Sequence, residues 1–201
     1  MQVTAIEKNG KYKYKVFIDG EYAFWLSWKE LYFWKIELNG EISEEQLQKI
    51  KKESILEKCK RKAVSYLKFC NQTEQELRTK LKRQLYNEDI IEKTIAYLYD
   101  MHYIDDYRYA ENFVDVNKKK HSRKWIELRL QQKGIKKDLS DDFFDEEYSE
   151  DAPIKKAIEK KLKGASIQTR EQREKILASL YRQGFSIYNI KKVLKEYEYN
   201  D

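Results

Sequence analysis

Lysine and arginine at high local density are the residues of this chain whose type and spacing point to chemistry. Between Val116 and Lys137 lie nine bases (Lys118, Lys119, Lys120, Arg123, Lys124, Arg129, Lys133, Lys136 and Lys137) against one acid, Glu127. The next stretch inverts the sign: Asp138 to Asp151 holds eight acids and no base. Such a segregation gives one surface a positive field and its neighbour a negative one. The chemistry available to the basic stretch is contact with phosphates or with acidic protein surface. Trp125 sits inside it, about 100° of helical rotation off the Ile126/Leu130 stripe. It is either an exposed partner anchor or a ring packed against a neighbouring repeat. Further bases recur on both sides: Arg78, Lys82 and Arg83 after a cluster from Lys58 to Lys68, and Lys160 and Lys161 later. The acidic run reads as a mobile loop or as an internal competitor that shields the basic stretch from wrong partners.

The same residue types exclude most catalytic readings. No GxxxxGK[ST], GxGxxG or GxSxG occurs, so nucleotide loops and a nucleophile elbow are absent from the sequence. The histidines are His102 and His121 and the cysteines Cys59 and Cys70, without zinc-ligand spacing. The acids could in principle hold magnesium for a nuclease, but they form an undifferentiated run with no base poised beside a structured pair. The expectation is therefore a binding protein, not an enzyme, without metal or cofactor.

These side chains must be positioned by a folded scaffold. The 201 residues are 41% hydrophobic and 38% charged with a mean hydropathy of −0.91, yet 16 Tyr, 8 Phe and 4 Trp supply apolar bodies that disordered chains lack. No apolar run exceeds five residues and the start lacks a signal-peptide pattern, so no membrane contact and a cytoplasmic location are expected. The net charge of +6 and a pI near 9.0 agree with an acidic partner.

Residues 2–26 read as a small antiparallel meander. Tyr12, Tyr14, Val16 and Ile18 alternate with lysines, Asp19-Gly20 suits a two-residue type I′ turn, and Tyr22, Phe24 and Leu26 return. With Trp25, Trp28, Tyr32, Phe33 and Trp34 nearby, this module is expected to own its hydrophobic cluster, so that removing residues 1–40 leaves the rest folded. A short helix near Trp28–Trp34 and a cap at Ser43 then lead into a long helix. Between Glu41 and Lys133 there is neither Gly nor Pro, which reads as helix.

The helical part repeats. Leu77-x-x-x-Leu81-x-x-x-Leu85-Tyr86 aligns with Ile126-x-x-x-Leu130-x-x-x-Gly134-Ile135 and with Ile176-x-x-x-Leu180-x-x-x-Gly184-Phe185. Each pattern sets two apolar residues on one helix face, then a helix stop, then an apolar residue. The predicted fold is mainly α: three tandem three-helix repeats in an elongated curved stack, preceded by the β meander. The boundaries read as 1–54 for the extension and 55–106, 107–153 and 154–201 for the repeats. Lys118, Lys119, Lys120, Arg123 and Lys124 fall, in this reading, at the start of the second helix of the middle repeat.

Three stretches carry a family resemblance. They are Tyr103-Ile104-Asp105-Asp106-x-Arg108-Tyr109-Ala110, Lys133-Gly134-Ile135, and Arg173 and Lys175-Ile176 continuing to Arg182-Gln183-Gly184-Phe185-Ser186. With Phe17-Ile18-Asp19-Gly20-Glu21-Tyr22-Ala23-Phe24 of the meander, they resemble the RecX family of bacterial regulatory proteins. The resemblance implies a non-enzymatic protein that binds the RecA recombinase and its filament on single-stranded DNA and lowers RecA activity, in DNA repair and the SOS response. It departs from the family pattern at Leu85 and His102, where Gly is usual, and both substitutions are expected to alter a helix end. A chain of this kind is expected to act as a monomer. The alternative is a sequence-independent DNA-binding module without a dedicated protein partner.

Overall fold

The computed structural model describes residues 1–144 and 148–197. Its first elements are β1 (Val3–Asn9), β2 (Lys13–Ile18) and β3 (Glu21–Leu26), an antiparallel sheet in the order β1-β2-β3. The β2–β3 turn holds Asp19 at φ 49° and Gly20 at φ 87°, the two positive values that a type I′ turn requires. Helix α1 (Trp28–Trp34) opens on a reciprocal cap between Ser27 and Glu30. Helix α2 (Glu44–Ile50), capped by Ser43, runs through a π-helical segment (Lys51–Leu56) into α3 (Glu57–Leu67).

Three three-helix units follow. The first is α3, α4 (Glu74–Arg83) and α5 (Glu88–Asp100); the second is α6 (Asp106–Asn117), α7 (Arg123–Gln132) and α8 (Lys137–Asp141). The third is α9 (Asp151–Leu162), α10 (Arg170–Arg182) and α11 (Ile187–Leu194). Helix α8 has 5 residues where α5 has 13, because the acidic run begins inside it and like charges one turn apart destabilise a helix. Asp145, Glu146 and Glu147 of that run lie outside the described residues.

The repeat seen in the sequence is a capping grammar. The middle helix of each unit starts at Thr73, Ser122 or Thr169, whose hydroxyl accepts the N–H of Glu76, Trp125 or Gln172. Each ends with a left-handed residue: Leu85 at φ 68°, Gly134 at φ 86°, Gly184 at φ 93°. The next N–H, from Tyr86, Ile135 or Phe185, donates back to the carbonyl of Leu81, Leu130 or Leu180 at 3.4, 3.0 and 3.3 Å. This bond and the apolar contact beside it make a Schellman stop, which fixes why an apolar residue must follow the glycine. Leu81, Leu130 and Leu180 are fully buried. His102, at φ 54°, ends α5 in the same way, with Tyr103 N–H donating to the Leu98 carbonyl at 2.8 Å. The two departures from Gly thus occupy left-handed positions that disfavour any side chain.

The chain divides into two compact units, Met1–Asp105 and Asp106–Asp201. In the first, Val16, Phe24 and Leu26 of the sheet share one continuous core with Ile55, Cys59, Leu77, Leu81, Ile91 and Leu98. The expected separate cluster of the meander is therefore corrected. A small sheet alone has little apolar surface to bury, and here it shares its core with α3–α5 instead. Polar ties reinforce the union: Tyr22 Oη donates to the Leu85 carbonyl at 2.6 Å, and Asn87 Nδ2 to the Ala23 carbonyl at 2.7 Å.

In the second unit, the α6–α8 core contains Ala110, Val114, Ile126, Leu130, Ile135 and Phe144. The α9–α11 core contains Ile154, Ile158, Ile176, Leu180, Phe185 and Ile190. Between them runs a polar seam. The buried Ser122 hydroxyl donates to the Gln183 carbonyl at 2.7 Å, and the Glu150 carboxylate accepts both Arg123 N–H and Asn189 Nδ2.

Candidate nucleic-acid and partner interface

Helix polarity sorts the basic stretch. Lys118, Lys119 and Lys120 lie in the turn after α6, not at the start of α7 as the sequence suggested. There they complement the negative end of the α6 dipole, and Lys118 also pairs with Asp115 at 2.7 Å. Arg123 and Lys124 do occupy the first turn of α7, the end at which cations are disfavoured. Arg123 is compensated by acids: its guanidinium pairs with Glu127 and, at 2.8 Å, with Asp141, and it lies 4.7 Å from the Phe144 ring centroid. The Glu127 bond, the largest favourable influence, holds its pKa above the ordinary value. Arg123 therefore ties the acidic run to α7 and is not available to an external phosphate.

Burial removes a second candidate. Arg78 is 17% exposed and bonds Glu74 at 2.6 Å and, through two nitrogens, Glu92 at 2.7 and 3.0 Å. Those carboxylates push the Arg78 pKa up, with Glu92 first among them. Lys82 pairs with Glu88 at 2.7 Å, while Arg83 is exposed. Lys160 and Lys161 are exposed in the last turn of α9 and form no ion pair among the described residues.

Trp125 follows neither expectation. It is half-buried within its own repeat, stacked with Phe113 of α6 (6.3 Å, 10°) and with His121 (3.8 Å, 14°). Tyr109 extends the column beyond Phe113 (6.4 Å, 13°). Cations line this column: Arg129 lies 5.3 Å from the Trp125 ring and Lys133 5.4 Å from Tyr109. Burial, and after it Lys120 and Arg129, hold the His121 pKa below its ordinary 6.5, so the imidazole is neutral at pH 7. The sequence reading missed His121, Tyr109 and Phe113. Their signal is the spacing of four in Tyr109-x-x-x-Phe113 and His121-x-x-x-Trp125, which puts each pair on one helix face or turn.

Within the basic stretch, Lys119, Lys120, Lys124 and Lys136 are exposed and form no ion pair among the described residues. Lys137 is exposed too, at the start of α8. Lys124 stands on the rim of a cleft of about 770 Å³ at the seam, together with Tyr181 and Asn189. The Glu150 carboxylate already occupies the N-terminus of α7 inside that cleft, at 2.8 Å from Arg123 N. One acid of the run thus sits where an external anion would meet the helix end. No group of three or more His, Cys, Asp or Glu side chains among the described residues is arranged to hold a metal. No helix among them is long and apolar enough to cross a membrane.

Comparison with known proteins places this geometry. Residues 59–98 match the model of the RecX first three-helix domain and residues 105–142 that of the RecX second three-helix domain. The chain is 30% identical over 198 residues to Regulatory protein RecX of Clostridium botulinum (strain Eklund 17B / Type B), covering 95% of this chain and 92% of that protein. It is 29% identical to Regulatory protein RecX of Clostridium tetani, covering 100% and 96%. A crystal structure of regulatory protein RecX superposes with a TM-score of 0.64 at 24% identity over 97% and 98% of the two chains. RecX from Lactobacillus salivarius superposes at 0.60 with 29% identity, over 70% of this chain and 95% of that one. Tandem three-helix units, their shared capping grammar and similarity along nearly the whole chain agree, and the chain belongs to the RecX family of regulatory proteins.

Proposed function

We propose that this chain is a non-enzymatic inhibitor of the RecA recombinase that binds RecA and its filament on single-stranded DNA in the cytoplasm. In this reading it restrains DNA repair by recombination and the SOS response, acting as a monomer. The observation that carries it is the group of unpaired lysines, Lys119, Lys120, Lys124 and Lys136, on a RecX scaffold. A filament on single-stranded DNA presents phosphates and acidic protein surface, and exposed cations at the rim of such an interface steer and hold the partner. Glu150 and Asp141, which tie the acidic run to α7, act as internal competitors for the same positive end.

A second reading, a sequence-independent DNA-binding module without a protein partner, is favoured by the cation-lined aromatic column alone. Passing the chain over immobilised RecA in the absence of DNA separates the two. Retention is the expected result; quantitative loss in the flow-through contradicts the RecA reading and favours the module.

A further inference from the structure

Helix α3 carries cations that the interface above does not use. Lys60, Arg61, Val64, Ser65 and Lys68 recur at spacings of three and four from α3 into its C-cap and so share one face. Opposite that face stand Tyr97 of α5 and Tyr103 just beyond its end, and the two walls enclose a cleft of about 440 Å³. The size falls within the range of sites that hold small planar ligands.

The two rings are not equivalent. The Tyr97 face is taken by the Lys60 ammonium, 4.4 Å from its centroid, and the two rings are 6.4 Å apart at 50°. Tyr103 is 46% exposed and has no cation over its ring among the described residues. Its backbone is fixed by the turn at His102 (φ 54°) and by the bond to the Leu98 carbonyl, and Ile104 beside it is buried. The ring is thereby presented from a rigid stop, which lowers the entropy lost on stacking.

Charge completes the site. Lys60 is paired with Glu57 at 3.0 Å, whereas Arg61 and Lys68 are exposed and form no ion pair among the described residues. Seven residues apart on a helix, they are separated by about 10 Å along the axis. An open aromatic face sharing one cleft with two separated free cations matches a base with its flanking phosphates. Duplex bases have no free face to offer, and a single free nucleotide cannot reach both cations.

We propose that this cleft of the first unit binds single-stranded nucleic acid, one base stacked on Tyr103 and the flanking phosphates held by Arg61 and Lys68. The inference rests on the RecA reading for its setting, since that reading brings the chain to single-stranded DNA, but the binding is measured without RecA. The test is fluorescence anisotropy of a labelled oligothymidylate titrated with the full chain at several salt concentrations. Tyr103→Ala is expected to weaken binding about 5- to 100-fold with the salt slope kept, and Tyr103→Phe to leave it unchanged. Arg61→Gln with Lys68→Gln, both at exposed positions, is expected to reduce the log–log salt slope by about 1.4. Wild-type affinity and slope in all these variants would overturn the proposal. Thymidine monophosphate competing as well as the oligomer at equal nucleotide concentration would also overturn it, by moving the site to free nucleotides. Retention of the variants on RecA without DNA reports separately on the RecA reading.

Discussion

Ser122 and Gln183, 61 residues apart in sequence, are joined by a hydrogen bond of 2.7 Å from the serine hydroxyl to the glutamine carbonyl. The same oxygen accepts Trp125 N–H, so one buried hydroxyl both caps α7 and fastens the α10–α11 turn. Gly184 follows Gln183, and a Cβ built on it would lie 2.7 Å from Ser122 Oγ. The seam between the second and third repeats is therefore a close approach that only glycine permits.

Two glycines with nearly equal backbone angles make this testable. Gly184 has φ +93° and the crowded surroundings just described; Gly164 has φ +91° and nothing within 4 Å of its added Cβ. Gly184→Ala is expected to cost about 1–3 kcal/mol more than Gly164→Ala, the cost of overpacking. Ser122→Ala is expected to cost about 1–3 kcal/mol by itself, through the lost cap and the unpaired carbonyl, and to relieve part of the Gly184→Ala defect. Urea unfolding of the unaltered chain, the three single variants and the Ser122→Ala/Gly184→Ala double variant measures all three quantities; equal costs at Gly164 and Gly184 would contradict the packing of the seam.

The helix stops give a stabilising prediction. His102 is exposed and sits at φ 54°, so its side chain opposes the conformation without contributing core contacts. His102→Gly is expected to raise stability by about 0.5–1 kcal/mol, less than the full left-handed penalty because glycine also loosens the unfolded chain. A lowered urea midpoint would contradict the assignment. Leu85→Gly is a weaker test, because Leu85 is half-buried.

Removal of residues 1–40 is expected to unfold the first unit, the reverse of what the aromatic cluster suggested in sequence. Val16, Phe24 and Leu26 cover Ile55, Leu77 and Leu81, and their loss exposes that core. Limited proteolysis of the 41–201 fragment, followed by mass spectrometry, is expected to show rapid cleavage within α3–α5 and protection in α9–α11. Protection throughout would show that the helices hold without the sheet.

The meander's strands and turn were readable because alternation and Asp19-Gly20 are local signals. The repeats were readable because the Schellman stop needs a leucine, a left-handed residue and an apolar residue at fixed spacing, as in Leu130, Gly134 and Ile135. Electrostatic roles were not. Arg78 looks like a surface base in sequence, yet its main partner, Glu92, lies 14 residues away on the next helix. Trp125 similarly depends on Phe113 of a different helix, and Arg123 on Asp141, 18 residues on. Charge runs record composition, whereas pairing depends on how helices cross, so basic residues had to be sorted by the fold.

Protonation of His121 gives a pH dependence of stated sign. Its pKa is lower folded than unfolded, so the unfolded chain takes up the proton first as pH falls. The contribution to stability is complete above the ordinary value of 6.5 and declines as pH falls from there toward the folded pKa. Trp125 fluorescence is expected to titrate with a midpoint below 6.5, and His121→Gln to abolish that transition. A midpoint above 6.5 would mean that the imidazolium is stabilised in the column.

Inhibition of RecA, as proposed, acts through the lysines of the second unit that form no ion pair among the described residues, Lys119, Lys120, Lys124 and Lys136. Arg123 and Lys118 are excluded from the test because both are engaged in ion pairs. The decisive measurement titrates the chain, and its Lys119→Glu/Lys120→Glu/Lys124→Glu/Lys136→Glu variant, into RecA hydrolysing ATP on single-stranded DNA. The unaltered chain is expected to lower the hydrolysis rate in proportion to its concentration. The folded variant should require a far higher concentration for the same effect. Hydrolysis unchanged by the unaltered chain, at concentrations matching RecA, would contradict it.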